Sequence, residues 1–297
     1  MKNYIDLHMH SIYSDDGEYM PSRLVEMCAE KGIQIMAIAD HNKVDAITEA
    51  KQRAKELGIQ YIPAIEIDCT YQDINLHVVG YGINDKAPEF TVLGESVLNQ
   101  ELELSMKKIE LTKQLGFQVS KEELDQLSDN GVYTGEMFGE IILAKEEYEK
   151  HPLLTPYRKG GDRSDNPYVN FYWDFYAQGK PCYTKVIYPS LAEIVDLIHR
   201  NGGKAVLAHP GENLKGRFEI FDEMMEAVKF DGVEAFSNYH DAETVDYFYK
   251  KGQEYGIMTT CGSDFHGKTK PAIQLGESHC QYDQKFIEKA LGENGLI

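Results

Sequence analysis

The stretch "YIDLHMHS" places His8 and His10 one residue apart at the end of an apolar run. Side chains on a strand alternate between faces, so this pair aims both imidazoles at one point, the arrangement that begins a metal site. The same event recurs along the chain. Asp15 and Asp16 follow in "SIYSDDG", Asp40 and His41 end "IQIMAIADHN", and Glu66 lies in "YIPAIEID". His77 lies in "INLHVVGYG", His209 ends "KAVLAHPG", and Asp264 and His266 end "IMTTCGSDFH". Each alone has a structural explanation as a cap, a core histidine or a salt-bridge partner. Burying all of them at one strand edge without partners would cost several kcal/mol apiece, and cations satisfy them together. A donor set of imidazole and carboxylate without thiolate suits Mn, Fe or Zn in a catalytic cluster better than a structural zinc.

Positioning such groups calls for strands of one sheet edge. Apolar runs at Tyr4–His10, Ile35–Asp40, Tyr61–Asp68 and Leu76–Gly82 alternate with helical periodicity at Ser22–Lys31 and Val44–Leu57. Gly32 and Gly58 stand where helix-ending glycines belong. The rhythm returns with helices at Leu191–Arg200, Glu219–Lys229 and Ala242–Tyr255 and strands at Lys204–His209, Gly232–Phe236 and Ile257–Asp264. Repeated βα units predict an α/β fold on a parallel sheet, open or closed into a barrel, with active-site groups where the βα loops converge. Residues 86–189 break the rhythm. "SKEELDQL" starts like a Ser-capped helix, "GEMFGEIILAKEEY" reads as another, and "TPYRKGGDRSDNPYVNFYWDFYAQGKPCY" reads as a long ordered loop. Within or beside that loop, Arg158, Arg163, Lys180 and Lys185 could meet a phosphate, and Trp173 or Tyr183 could stack on a ring.

The 49 acidic and 30 basic residues give a formal charge of −19, which disfavours long nucleic acids and anionic membranes and leaves small substrates open. No leader-like or membrane-spanning run is visible, so a cytoplasmic location is expected. The five cysteines form no C-x-x-C pair and read as reduced thiols.

In order and spacing, "DLHMHSIYSDDG", "IADHN", Glu66 with His77, "AHPG" and "GSDFH" resemble the motifs of PHP (polymerase and histidinol phosphatase) phosphoesterases. "GKPCY", "NGGKAVLAHPG" and "GVEAFSNYH" are most similar to stand-alone bacterial members acting on nucleotide phosphates, including 3′,5′-bisphosphates and short oligonucleotides. The resemblance implies a distorted (β/α)7, TIM-like barrel from residues 1–85 and 190–297, with a mostly helical insertion at 86–189. It also implies a trinuclear centre. His8, His10, Glu66 and Asp264 would hold one metal; Glu66, His77 and His209 a second; Asp15, His41 and His266 a third. "SDDG" has one residue more than the usual S-D-G, so Asp16 could take the place of Asp15. Asp40 would orient a ligand imidazole, and His240, in "SNYHD", would lie near the substrate phosphate, with Lys180 and Tyr183 of the loop as further substrate contacts. Basic residues carried by related nucleotide phosphatases in the insertion and just after AHPG have no obvious counterpart here: Gly211 is followed by Glu212, and "YTGEMFGE" has no arginine.

The reaction expected from this resemblance is hydrolysis of a small phosphate monoester, such as a nucleoside 3′,5′-bisphosphate, by a metal-activated hydroxide with two or three divalent ions. His240, or a metal-bound water, would protonate the leaving group. The competing readings are a phosphodiesterase or 5′-3′ exonuclease on short oligonucleotides, a histidinol-phosphate phosphatase, and a metal-binding regulatory module without catalysis. A multinuclear amidohydrolase would need a lysine at a mid-barrel strand end, where none falls.

Overall fold

The computed structural model describes residues 3–128 and 130–297; Met1, Lys2 and Asp129 lie outside the described residues. Strands β1 (Ile5–Asp6), β2 (Ile35–Met36) and β3 (Gln60–Tyr61) form a parallel three-stranded sheet. A second sheet runs in the order β4 (Ala64–Tyr71), β5 (Ile74–Tyr81), β6 (Lys204–Leu207), β7 (Gly232–Ser237), β8 (Met258–Gly262). Isolated parallel bridges between His41 and Glu66 and between Met9 and Phe265 tie the two sheets together. The named strands therefore form two linked sheets rather than one closed ladder.

The expectation of a parallel sheet is corrected at β5, which is antiparallel to both β4 and β6. Only Gln72 and Asp73 separate β4 from β5, far short of the dozen or so residues a parallel crossover needs. Gln72 takes a φ of 54° to make the turn.

Helix ends follow the sequence signals. Gly32 (φ 80°) and Gly58 (φ 69°) close Pro21–Lys31 and Ala46–Leu57 in the left-handed conformation. Ser190 and Glu193 form a capping box that starts Leu191–Arg200, whose Leu191, Ile194, Val195 and Ile198 bury one stripe against the sheet.

Between the two halves lies a helical region with its own apolar cluster, which includes Ile109, Phe117, Phe138, Ile142, Leu154 and Phe171. Its longest helix is Pro88–Gln114, and Ser120 with Glu123 boxes the start of Lys121–Leu124. The segment expected to be loop contains a helix at Pro167–Phe175. Proline opens this helix, and burial of Val169 and Phe171 outweighs the turn-rich composition around it. Among the described residues no helix is long and apolar enough to cross a membrane, and all five cysteines are buried and unpaired.

Candidate metal centre

The polar residues singled out from the sequence converge, although Glu66 and His77, expected at strand ends, sit within β4 and β5. His8 and His10 lie just past β1, both fully buried, with Nε2 atoms 3.2 Å apart, so the alternation read from the sequence continues beyond the ladder. Glu66 on β4 is fully buried at the centre. Its Oε2 lies 3.2 Å from His8 Nε2, 3.3 Å from His10 Nε2 and 3.1 Å from His41 Nδ1. Its Oε1 lies 3.0 Å from His77 Nδ1 and 2.9 Å from His209 Nε2. Asp264, past β8, brings Oδ1 to 3.0 Å from His10 Nε2 and 3.5 Å from His8 Nε2. His266 stacks on His10 with ring centroids 4.0 Å apart. His209 (φ 23°) and Asp264 (φ 56°) both occupy the left-handed region, a strain that side chains tolerate where the surroundings over-determine the backbone.

Three donor groups are close enough to share ions: His8, Glu66, His209 and Asp264; His41, Glu66 and His77; and His10, His41 and His266. The resemblance grouped His10 with His8, and His209 with His77; here His209 falls with His8, and His10 with His41 and His266.

The electrostatics fit cations. Glu66 Oε2, Asp264 Oδ1, Asp16 Oδ1, His41 Nδ1 and His266 Nε2 are buried and make no well-aligned hydrogen bond among the described residues. Unsatisfied acceptors concentrated at one point would be costly, and divalent ions are what this donor set accommodates. Burial opposes ionisation of Glu66, yet the facing imidazoles of His8, His77 and His41 hold its carboxyl well below the usual range. Burial likewise opposes a charge on His8, but Glu66 and Glu234 hold it well above the ordinary imidazole value. Burial, with His266 and His41 adding to it, pushes His10 down to about 4.

Each of three imidazoles has its far nitrogen occupied, which leaves Nε2 free to bind. His8 Nδ1 faces Glu234 at 3.2 Å, and His266 Nδ1 lies 2.9 Å from the Asp264 carbonyl. His10 Nδ1 meets the Ser14 hydroxyl at 2.9 Å, and that hydroxyl donates to Asp40 at 3.0 Å. Asp40 also accepts from the Ser11 amide and hydroxyl, each at 2.6 Å. It thus orients an imidazole through Ser14, and that imidazole is His10 rather than the adjacent His41.

Sequence reasoning missed Glu234, which besides His8 also accepts from the His209 amide at 2.8 Å. Its signal was a lone carboxylate inside the apolar run "GVEAFS". Gly262 presses against both: a Cβ there would collide with Glu234 and His8. Asp68 was missed as well. Two residues from Glu66 and on the same strand face, it places Oδ1 3.0 Å from His77 Nε2.

Several expectations change. Asp15 meets Lys43 at 3.3 Å and Asn130 at 2.6 Å, whereas Asp16 places Oδ2 3.2 Å from His266 Nε2. Successive turns, Ser14 to Ser11 and Gly17 to Ser14, swing the second aspartate inward. Asp16→Asn is therefore expected to lower phosphoester turnover by roughly 100-fold and Asp15→Asn by less than about threefold; steady-state rates on an aryl phosphate check this, and a larger loss from Asp15→Asn would reverse the assignment. His240 is buried, with Nδ1 2.9 Å from the Ala235 carbonyl and Nε2 accepting from the Gly211 amide at 3.0 Å. Both nitrogens are committed to backbone, so it braces the loop after His209 and has no proton to give a leaving group. Arg158 donates to the carbonyls of Leu143 and Tyr148, and Arg163 pairs with Asp174 at 2.8 Å. Lys180 and Lys185 are exposed.

A cleft of about 470 Å³ opens over the cluster, floored by His41, His77, His209 and Asp264. Tyr172, Trp173 and Tyr183 from the helical region line its walls, and Lys180 does not.

The sequence profile of the PHP domain matches residues 6–188. A 3′,5′-nucleoside bisphosphate phosphatase of Chromobacterium violaceum is 25% identical, over 92% of this chain and 91% of its own. A 5′-3′ exoribonuclease of Haemophilus influenzae is 26% identical, over 90% and 91%. A solved structure from Bifidobacterium adolescentis, described as a metal-dependent phosphoesterase, superposes with a TM-score of 0.77 at 22% identity, covering 97% of this chain and 95% of its own.

Proposed function

The chain belongs to the PHP domain family and is a phosphoester hydrolase, and from that premise we propose that it is metal-dependent and that its substrate is a small phosphate monoester, a nucleotide in the first instance. In this reading the two linked sheets form a distorted barrel, residues 1–85 and 190–297, with residues 86–189 as a capping insertion. The observation that carries the reading is the convergence of unsatisfied carboxylate and imidazole atoms on the floor of a cleft sized for one small ligand. His8, His10, Asp16, His41, Glu66, His77, His209, Asp264 and His266 would hold two or three divalent ions, Mn, Fe or Zn. Such ions supply Lewis-acid charge to the phosphoryl oxygens and acidify the attacking water.

The chain's own residues do the rest. Glu66 gathers the imidazoles; Glu234, Ser14 and Asp40 fix the rings with Nε2 towards the site. Tyr172 and Tyr183 line the cleft where a base can stack, while one face of Trp173 is covered by the Lys215 ammonium. The net charge of −19 does not oppose an anionic substrate at contact distance, because bound ions dominate the local field.

The exoribonuclease relative favours a second reading, phosphodiester cleavage of short oligonucleotides at the same centre. Product analysis separates the two: protein loaded in turn with Mn, Fe or Zn is given a nucleoside 3′,5′-bisphosphate, a mononucleotide and a dinucleotide. Inorganic phosphate from the first two supports the monoesterase. Cleavage of the dinucleotide alone establishes the diesterase and removes the first reading.

A further inference from the structure

Asp264 uses its two oxygens differently. Oδ1 turns towards His8 and His10, while Oδ2 accepts from the Tyr239 hydroxyl and the Lys270 ammonium, each at 2.6 Å. Lys270 lines the cleft, and its side chain is 14% exposed. Its position is fixed by the turn it ends. The Lys270 amide bonds the Gly267 carbonyl at 3.2 Å, the Lys268 amide bonds Glu18 at 2.7 Å, and the Thr269 hydroxyl bonds the Asp16 carbonyl at 2.6 Å. Gly267 (φ 83°) leaves no room for a Cβ against Glu18. The turn is thus sewn to the loop carrying Asp16, and the ammonium is held at the edge of the cluster.

Other cations of the cleft are held elsewhere. Lys43 pairs with Asp15, Lys108 donates to the Tyr133 carbonyl, Lys215 sits 4.1 Å over Trp173, and Arg217 faces Asp73 at 3.7 Å. Lys270 alone of these touches a carboxylate of the metal-donor set. Asp264 already lies between Lys270 and the donor set, and a phosphoryl group bound in the cleft would be a second anion for the lysine to face.

We propose that Lys270 is a catalytic residue, donating from its remaining N–H groups to a non-bridging oxygen of the phosphoryl group. This rests on the monoesterase reading and supplies a phosphate-binding cation from outside the insertion. During hydrolysis an oxygen–phosphorus bond forms from water, the ester oxygen–phosphorus bond breaks, and a water proton ends on the leaving oxygen. Lys270 keeps its own proton throughout and offsets charge on the phosphoryl oxygens, as a preorganised donor does.

The test uses metal-loaded full-length protein and the variants Lys270→Met, Lys270→Gln and Lys270→Arg. Inorganic phosphate is the binding probe, read by calorimetry; bound metal is counted by elemental analysis, and kcat/KM is measured on an aryl phosphate. The expected result for Lys270→Met is a drop in kcat/KM of about 100-fold to 1,000-fold, with phosphate affinity weakened at least about tenfold and metal content unchanged. Lys270→Arg should recover most of the phosphate affinity. Should Lys270→Met fold poorly, Lys270→Gln carries the same expectation. Unchanged phosphate affinity in folded Met or Gln variants overturns the proposal, as does metal loss that accounts for the lost rate, since Lys270 would then only position Asp264. Wild-type protein that binds phosphate through Lys270 yet hydrolyses no monoester would instead sink the monoesterase reading alone.

Discussion

Glu66→Gln is expected to abolish phosphoester hydrolysis, lowering kcat/KM by roughly a thousandfold or more, beyond the roughly 10–100-fold typical of a residue that only supports a ligand. The substitution keeps shape and volume and removes one charge. That charge is the one His8, His10, His41, His77 and His209 share, all within 3.3 Å of a Glu66 oxygen. Losing it removes a carboxylate from two of the three donor groups at once. A neutral amide would also present N–H groups to imidazoles that need to accept from nothing but a cation. Bound metal per chain should fall together with rate, and elemental analysis beside phosphate release measures both. Near wild-type turnover by Glu66→Gln would mean that the convergence at the cleft floor is not where the chemistry occurs.

What could be read from the residues was mostly position. Apolar runs ending in His or Asp mark strands that converge on one edge, and His8, His10, His209 and Asp264 meet just past β1, β6 and β8 as that pattern requires, whereas Glu66 and His77 join them from within β4 and β5. Capping signals are local, so Ser120, Ser190, Gly32 and Gly58 could be placed without a structure. What escaped was set by tertiary detail. The choice between Asp15 and Asp16 depends on two consecutive turns and on Lys43 and Asn130 arriving from elsewhere. His240 looked free for catalysis because the carbonyl that captures it, Ala235, is five residues away along a strand whose curvature cannot be read from composition. Glu234 was hidden in an apolar run, since a strand buried on both faces shows no alternation to flag the odd residue. The antiparallel β5 was foreseeable, because the stretch read between Asp68 and Leu76 is too short for a parallel crossover, but the surrounding βα rhythm argued otherwise.

Stripping the protein of divalent ions is expected to lower its thermal midpoint by roughly 10 °C. A ligand at about a thousand times its dissociation constant stabilises the folded state by about 4 kcal/mol, and for a chain of this size each kcal/mol corresponds to about 2–4 °C. The sign follows from the burial pattern. Glu66, His8, His10 and His266 are fully buried, and Asp264 nearly so. Without cations, Glu66 Oε2, Asp264 Oδ1 and His266 Nε2 are left without well-aligned partners, a cost borne by the folded state alone. Scanning calorimetry of chelated protein, then of the same sample titrated with Mn or Zn, measures the difference. The midpoint should rise with ion concentration and level off as the sites fill. Glu66→Gln should show a much smaller rise, because its central carboxylate is gone. Identical midpoints with and without saturating ions would show that these buried acceptors hold no cation, and the metal-centred reading of the cleft would fall with them.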